Sequence, residues 1–104
     1  MQYDVYANPS VRSAGEYPYV VDIQSDLLSG LTTRMVAPLA SITMAKADIP
    51  QRLCPIVSVA GRDFMFIPYQ SAPLLKAQLK KRVASLRSSA HAIVDAMDVV
   101  ISGI

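Results

Sequence analysis

The order of apolar and polar positions predicts a mainly β chain closed by one helix. Residues 3–6 read as a short opening strand, and residues 8–17, with Asn-Pro, Ser, Gly and several charges, as an exposed loop. In residues 19–24, Tyr19, Val21 and Ile23 alternate with Val20, Asp22 and Gln24, the period of a strand with one face buried. Residues 34–39 form the next predicted strand, with Pro38 near its end, and residues 41–50 a strand end running into a loop. Residues 55–59 and 64–67 are β-rich runs around a short segment containing Gly61, which predicts a hairpin. Residues 68–73, rich in Pro, Ser and Gln, read as a loop.

Two segments near the end of the chain behave differently. Residues 74–86 (LLKAQLKKRVASL) are helix formers by propensity, yet their apolar positions also suit a short strand followed by a turn, so both readings stand. From Ser88 onward Ala92, Ile93, Ala96, Met97, Val99 and Val100 make one apolar face, while His91, Asp95, Asp98 and Ser102 fall on another. That is an amphipathic helix, with Ser88 or Ser89 as its cap and Gly103 as its left-handed stop. Ile104 is expected to project just past that stop.

Composition narrows the class. The 104 residues are 52% hydrophobic and 17% charged, which excludes an intrinsically disordered chain and fits one small domain spanning 1–104. A core of this size leaves little room for a large internal cofactor, and none is expected. The single cysteine, Cys54, excludes an intramolecular disulfide and offers no zinc-ligand spacing, so no metal is expected and a reducing, cytoplasmic setting fits. The first residues lack a signal-peptide pattern, and no apolar run reaches the roughly 20 residues that span a bilayer. A positive mean hydropathy of +0.31 without such a span leaves more apolar surface than a small monomer hides, which predicts a homodimer.

The candidate chemistry is thin. His91, Asp95 and Ser102 invite comparison with a catalytic triad, but eleven residues of helix separate His91 from Ser102 by roughly 16 Å, so a solvated polar stripe is the better reading. Lys76, Lys80, Lys81, Arg82 and Arg87 form a basic cluster able to meet phosphates or an acidic segment. With a net charge of only +2, a solvated face is favoured over nucleic-acid binding. Asp22, Asp26 and Arg34 are the residues for phosphodiester chemistry, although Asp at strand ends more often shapes turns. Cys54 among apolar neighbours reads as a buried, inert thiol. An enzyme is disfavoured.

Several blocks carry a resemblance. MQYDVY, YVVDIQSDLL (19–28), TRMVAPLAS (33–41), LCPIVSV (53–59) and the ending ISGI together resemble, in order and spacing and nearly end to end, the CcdB family of bacterial type II toxins. The resemblance implies an SH3-like barrel fold shared with the MazF toxins, with a five-stranded antiparallel sheet, a smaller accessory sheet and a long C-terminal helix, dimerising through its sheets. It implies a poison without catalysis of its own, which binds the A subunit of DNA gyrase and traps the enzyme on cleaved DNA. A cognate CcdA-like antitoxin neutralises such toxins, and the joint complex, rather than the toxin alone, binds operator DNA and represses the operon.

By the same resemblance, the gyrase-binding residues are Leu27 and Leu28, after the motif DIQSD, and Asp98, Ile101, Ser102, Gly103 and Ile104 at the end of the helix. Family members commonly end Trp-Gly-Ile; here Ser102 stands in the tryptophan position. Losing such an anchor costs about 2 kcal/mol or more of binding. The Lys- and Arg-rich stretch 74–86 also departs from the more acidic family pattern, which bears on antitoxin and operator recognition. Two rival readings follow: a MazF-like endoribonuclease using Asp22, Asp26 and Arg34, and a degenerate toxin that only binds antitoxin and regulates transcription.

Overall fold

The computed structural model describes residues 1–103. Seven strands form one antiparallel sheet: β1 Asp4–Ala7, β2 Tyr19–Asp22, β3 Thr33–Ser41, β4 Ile56–Val59, β5 Arg62–Phe66, β6 Ala72–Leu75 and β7 Arg82–Ser85. The order is β4-β5-β3-β2-β1-β7, with β6 also on β3, and the sheet curls into a half-barrel whose hollow holds the helix α1, Ala90–Ser102. A mainly β fold with a C-terminal helix is therefore observed. The five-stranded sheet and separate accessory sheet are not: all seven strands are joined by hydrogen bonds, because β3 is nine residues long and serves two partners on one edge.

Pro38 explains how β3 does this. Residues Leu39 to Ser41 pair with β5, and Thr33 to Val36 pair with β6. Pro38 lies in the gap between the two ladders, where its carbonyl accepts from Ile67 N–H at 3.0 Å and its missing N–H breaks no ladder bond. The sequence places this proline near the end of a strand; it sits instead inside one, at the handover.

The core behind α1 is built from alternate strand positions. Val5, Val21, Ala37, Leu39, Val57, Val59, Phe64 and Phe66 project toward Leu86, Ile93 and Ala96. Tyr19 meets Phe64 edge to face, with ring centroids 5.3 Å apart. A smaller cluster of Ala40, Ile49, Cys54 and Ile67 lies beside it.

Two expectations need correction, and one open reading is decided. The alternation in β2 predicts one buried face; Val20 and Asp22 on its second face are buried as well, because the curl turns that face into a cleft shared with Val36, Pro38 and Leu74 and into a charged network described below. The predicted loop 68–73 holds a 3-10 turn, Pro68–Gln70, and then the start of β6. Residues 74–86 resolve as the end of β6, a 3-10 turn at Lys76–Gln78 and β7; pairing with β3 and β1 overrides the helical propensity of Leu, Lys and Ala. The hairpin is present with a tighter turn than its four-residue segment suggests. Ala60 (φ 52°) and Gly61 (φ 79°) alone make it, in the doubly left-handed form that matches strand twist.

Candidate partner-docking site

Helix α1 carries two apolar sides. Ile93 and Ala96 are buried and hold it to the sheet, whereas Val94 and Val100 are substantially exposed and Ile101 is 79% exposed. Gly103 adopts φ 72° and donates its N–H to the Val99 carbonyl, which ends the helix as expected from the sequence. Ser89 occupies the N-cap position, but its side chain makes no capping bond. The expected face was Ala92, Ile93, Ala96, Met97, Val99 and Val100; Ala92 and Val100 of that set are exposed.

The sequence-predicted site residues of this element lie together on its last turns. Asp98, Ile101, Ser102 and Gly103 are all exposed. Ser102 Oγ donates to the Asp98 carbonyl at 2.7 Å, closing back on its own helix. Ser102, Asp95, Asp98 and, from the loop before β4, Arg52 line an open cleft of about 440 Å³. Ile104 lies outside the described residues. The triad reading fails on this geometry, since the Ser102 hydroxyl is given to a backbone carbonyl and His91 does not line the cleft.

Leu27 and Leu28 lie on a separate element, the 3-10 turn Asp26–Leu28 between β2 and β3. Leu27 is 95% exposed and Leu28 50%. Ser25 caps the turn by accepting from Leu27 N–H at 3.2 Å, and Asp26 accepts from Gln2 N–H at 2.9 Å. Two short apolar side chains thus stand in water on a turn that is tied down at both ends.

Asp22 and Arg34, candidates for phosphodiester chemistry, have a different role. They are 1% and 6% exposed and form an ion pair, Arg34 Nε to Asp22 Oδ2 at 3.6 Å. Asp22 also meets the Met1 ammonium, and its Oδ1 accepts from Gln24 N–H. Asp4, likewise buried, meets Arg82 and the same ammonium. Tyr6 on the same face has its phenol pushed above the usual value, by burial first and then by the charges of Asp4 and Asp22. The phosphodiester reading of Asp22, Asp26 and Arg34 is therefore corrected. Asp22 and Arg34 satisfy one another inside the fold, and Asp26 anchors the turn.

The remaining candidates fall where the sequence implies. Lys76, Lys80, Lys81, Arg82 and Arg87 are exposed, and Arg82 reaches Asp4. Cys54 is buried, which pushes its thiol pKa up, partly offset by a hydrogen bond with Tyr69. Among the described residues, no helix is long and apolar enough to cross a membrane, and no cluster of three or more His, Cys, Asp or Glu is placed to hold a metal. Gln24 was not singled out from the sequence, yet it bonds the Leu28 and Thr33 carbonyls and the Met35 N–H. Its one signal in the sequence is a long amide at the end of a strand, two residues after Asp22.

The arrangement offers exposed apolar side chains on two secured elements and no assembled catalytic constellation among the described residues, which suits binding to a protein partner. Residues 2–103 match the model of a family described as CcdB protein. With nearly the whole chain matched, this protein belongs to the CcdB family, whose members are gyrase-targeting toxins of toxin–antitoxin modules that act as poisons rather than enzymes.

Proposed function

We propose that the protein binds the A subunit of DNA gyrase and traps the gyrase–DNA cleavage complex, with Leu27, Leu28, Asp98, Ile101, Ser102, Gly103 and Ile104 at the contact. The observation that carries this reading is Ile101, an isoleucine 79% exposed on the last turn of an otherwise anchored helix. An apolar side chain so placed adds little to the fold and becomes useful when a partner removes it from water. The mechanism is binding that favours one conformation of gyrase over another; no bond is made or broken by the toxin.

The acting unit is a homodimer in the cytoplasm, supported by the further exposed apolar side chains of Met35 and Leu75 on the sheet and of Leu31 just before β3. A CcdA-like antitoxin covers the dimer, and operator DNA is bound through that joint complex. The exposed basic residues from Lys76 to Arg87 suit an acidic antitoxin segment. Deleting residues 102–104 tests the reading: bacteria expressing the shortened protein should survive, while it still folds and binds antitoxin. Killing by the shortened protein refutes it.

A further inference from the structure

A buried guanidinium lies under the exposed Leu27–Leu28 turn, and two of its nitrogens donate to that turn. Arg34 projects from β3 and donates from Nη1 to the Leu28 carbonyl at 3.4 Å and from Nη2 to the Ser29 carbonyl at 3.0 Å. Its Nε faces Asp22 Oδ2, so the carboxylate fixes the plane of the fork. Gln24 Nε2 donates to the same Leu28 carbonyl at 3.2 Å and to the Thr33 carbonyl at 3.2 Å. The Leu28 carbonyl also receives Leu31 N–H at 3.1 Å.

This is an unusual use of a buried charge. A 3-10 turn of three residues cannot hold its own shape, and carbonyls at the surface would ordinarily be satisfied by water. Burying an arginine is costly unless every donor finds a partner, and this one finds two of its partners on consecutive carbonyls of a solvent-facing turn. The backbone of the turn is therefore held from beneath at two consecutive carbonyls, with Leu27 and Leu28 displayed to solvent.

We propose that Arg34, oriented by Asp22 and assisted by Gln24, is a positioning residue for gyrase recognition: it holds the Leu28 and Ser29 carbonyls so that Leu27 and Leu28 meet gyrase already ordered. The inference rests on the reading of those two leucines as gyrase contacts. Ordering a loop before binding removes a cost that would otherwise be subtracted from affinity. Lysine cannot replace this arginine, because a point charge cannot span a carboxylate and two carbonyls at once.

The test compares Arg34→Lys, which keeps a cation beside Asp22, and Gln24→Ala, which leaves the ion pair untouched, each made alone and in a Leu27→Ala/Leu28→Ala background. Calorimetric affinity for the gyrase A subunit is measured together with amide hydrogen exchange across residues 27–31. Arg34→Lys should weaken binding about 10-fold in the parent and less than about 2-fold in the leucine-free background, since preorganisation matters only for side chains that bind. Exchange at Ser29 and Leu31 should quicken by about 10-fold, while exchange in β4 and β5 stays unchanged. Gln24→Ala should give a smaller loss of the same pattern, and it carries the test if Arg34→Lys does not fold. Unchanged affinity in a folded variant, or an equal loss in both backgrounds, overturns the positioning role. If Leu27→Ala/Leu28→Ala alone binds gyrase like the parent, the leucine assignment has failed first, and the positioning role falls with it.

Discussion

Helix α1 carries two isoleucines whose truncation to alanine should have opposite consequences. Each change removes three carbons. At Ile93, 1% exposed and facing the core of the half-barrel, those carbons leave a fully apolar site. The transfer loss is about 2.4 kcal/mol at about 0.8 kcal/mol per carbon, and the residual cavity raises the total to about 3–4 kcal/mol. At about 4–8 °C per kcal/mol for a domain of this size, Ile93→Ala should lower the melting temperature by more than about 12 °C. At Ile101, 79% exposed, about a fifth of the same transfer term applies, or about 0.5 kcal/mol, and the better helix propensity of alanine offsets most of it. The Ile101→Ala protein should therefore melt within about 3 °C of the parent. Its binding to gyrase should nevertheless weaken about 10-fold or more if the side chain is buried in the complex. Thermal denaturation followed by circular dichroism, with calorimetric titration against the A subunit of gyrase, reads both arms. Equal destabilisation by the two substitutions would refute the assignment of an inner and an outer face to α1.

Three further outcomes are expected. Ser102→Trp restores the family's usual anchor at an exposed position and should tighten gyrase binding by about 2 kcal/mol, about 30-fold, with no change in melting temperature. Ala60→Asn suits the left-handed first position of the hairpin turn better than alanine does, and should stabilise the protein by about 1 kcal/mol in a urea titration. The Tyr6 phenol has a raised pKa in the folded state, so the folded protein holds its proton more tightly than the unfolded chain does. Its contribution is fully present below the unfolded value near 10 and is lost as pH rises from there through the folded value. Melting temperature should accordingly fall on alkaline titration, and Tyr6→Phe should flatten that fall.

How much of this was legible in the sequence depended on whether local pattern and tertiary environment agreed. The hairpin around Gly61 and the helix ended by Gly103 were readable because β-branched runs, helical spacing and glycine each point to one structure, and the fold obeys them. The stretch 74–86 was not, because its leucines and lysines favour a helix while β1 and β3 offer unpaired edges that only the folded sheet supplies. Asp22 and Arg34 misled for a related reason. A charged residue in sequence looks like surface or chemistry, and only the curl of the sheet shows that the two bury one another. Leu27, Leu28 and Ile101 drew attention solely through resemblance to a toxin family. Their exposure, the physical reason to regard them as contacts, appears only once the strands and α1 have taken the rest of the apolar residues inside.

The most direct measurement of the central claim is a DNA-cleavage assay with purified gyrase, supercoiled plasmid and ATP, comparing the full chain with one ending at Ile101. Accumulation of linear, cleaved DNA with the full chain and not with the shortened one is the predicted result, and it would show that serine at 102 suffices for poisoning. Undisturbed gyrase turnover at saturating full-length protein would contradict the account and direct attention to a different target for the same fold.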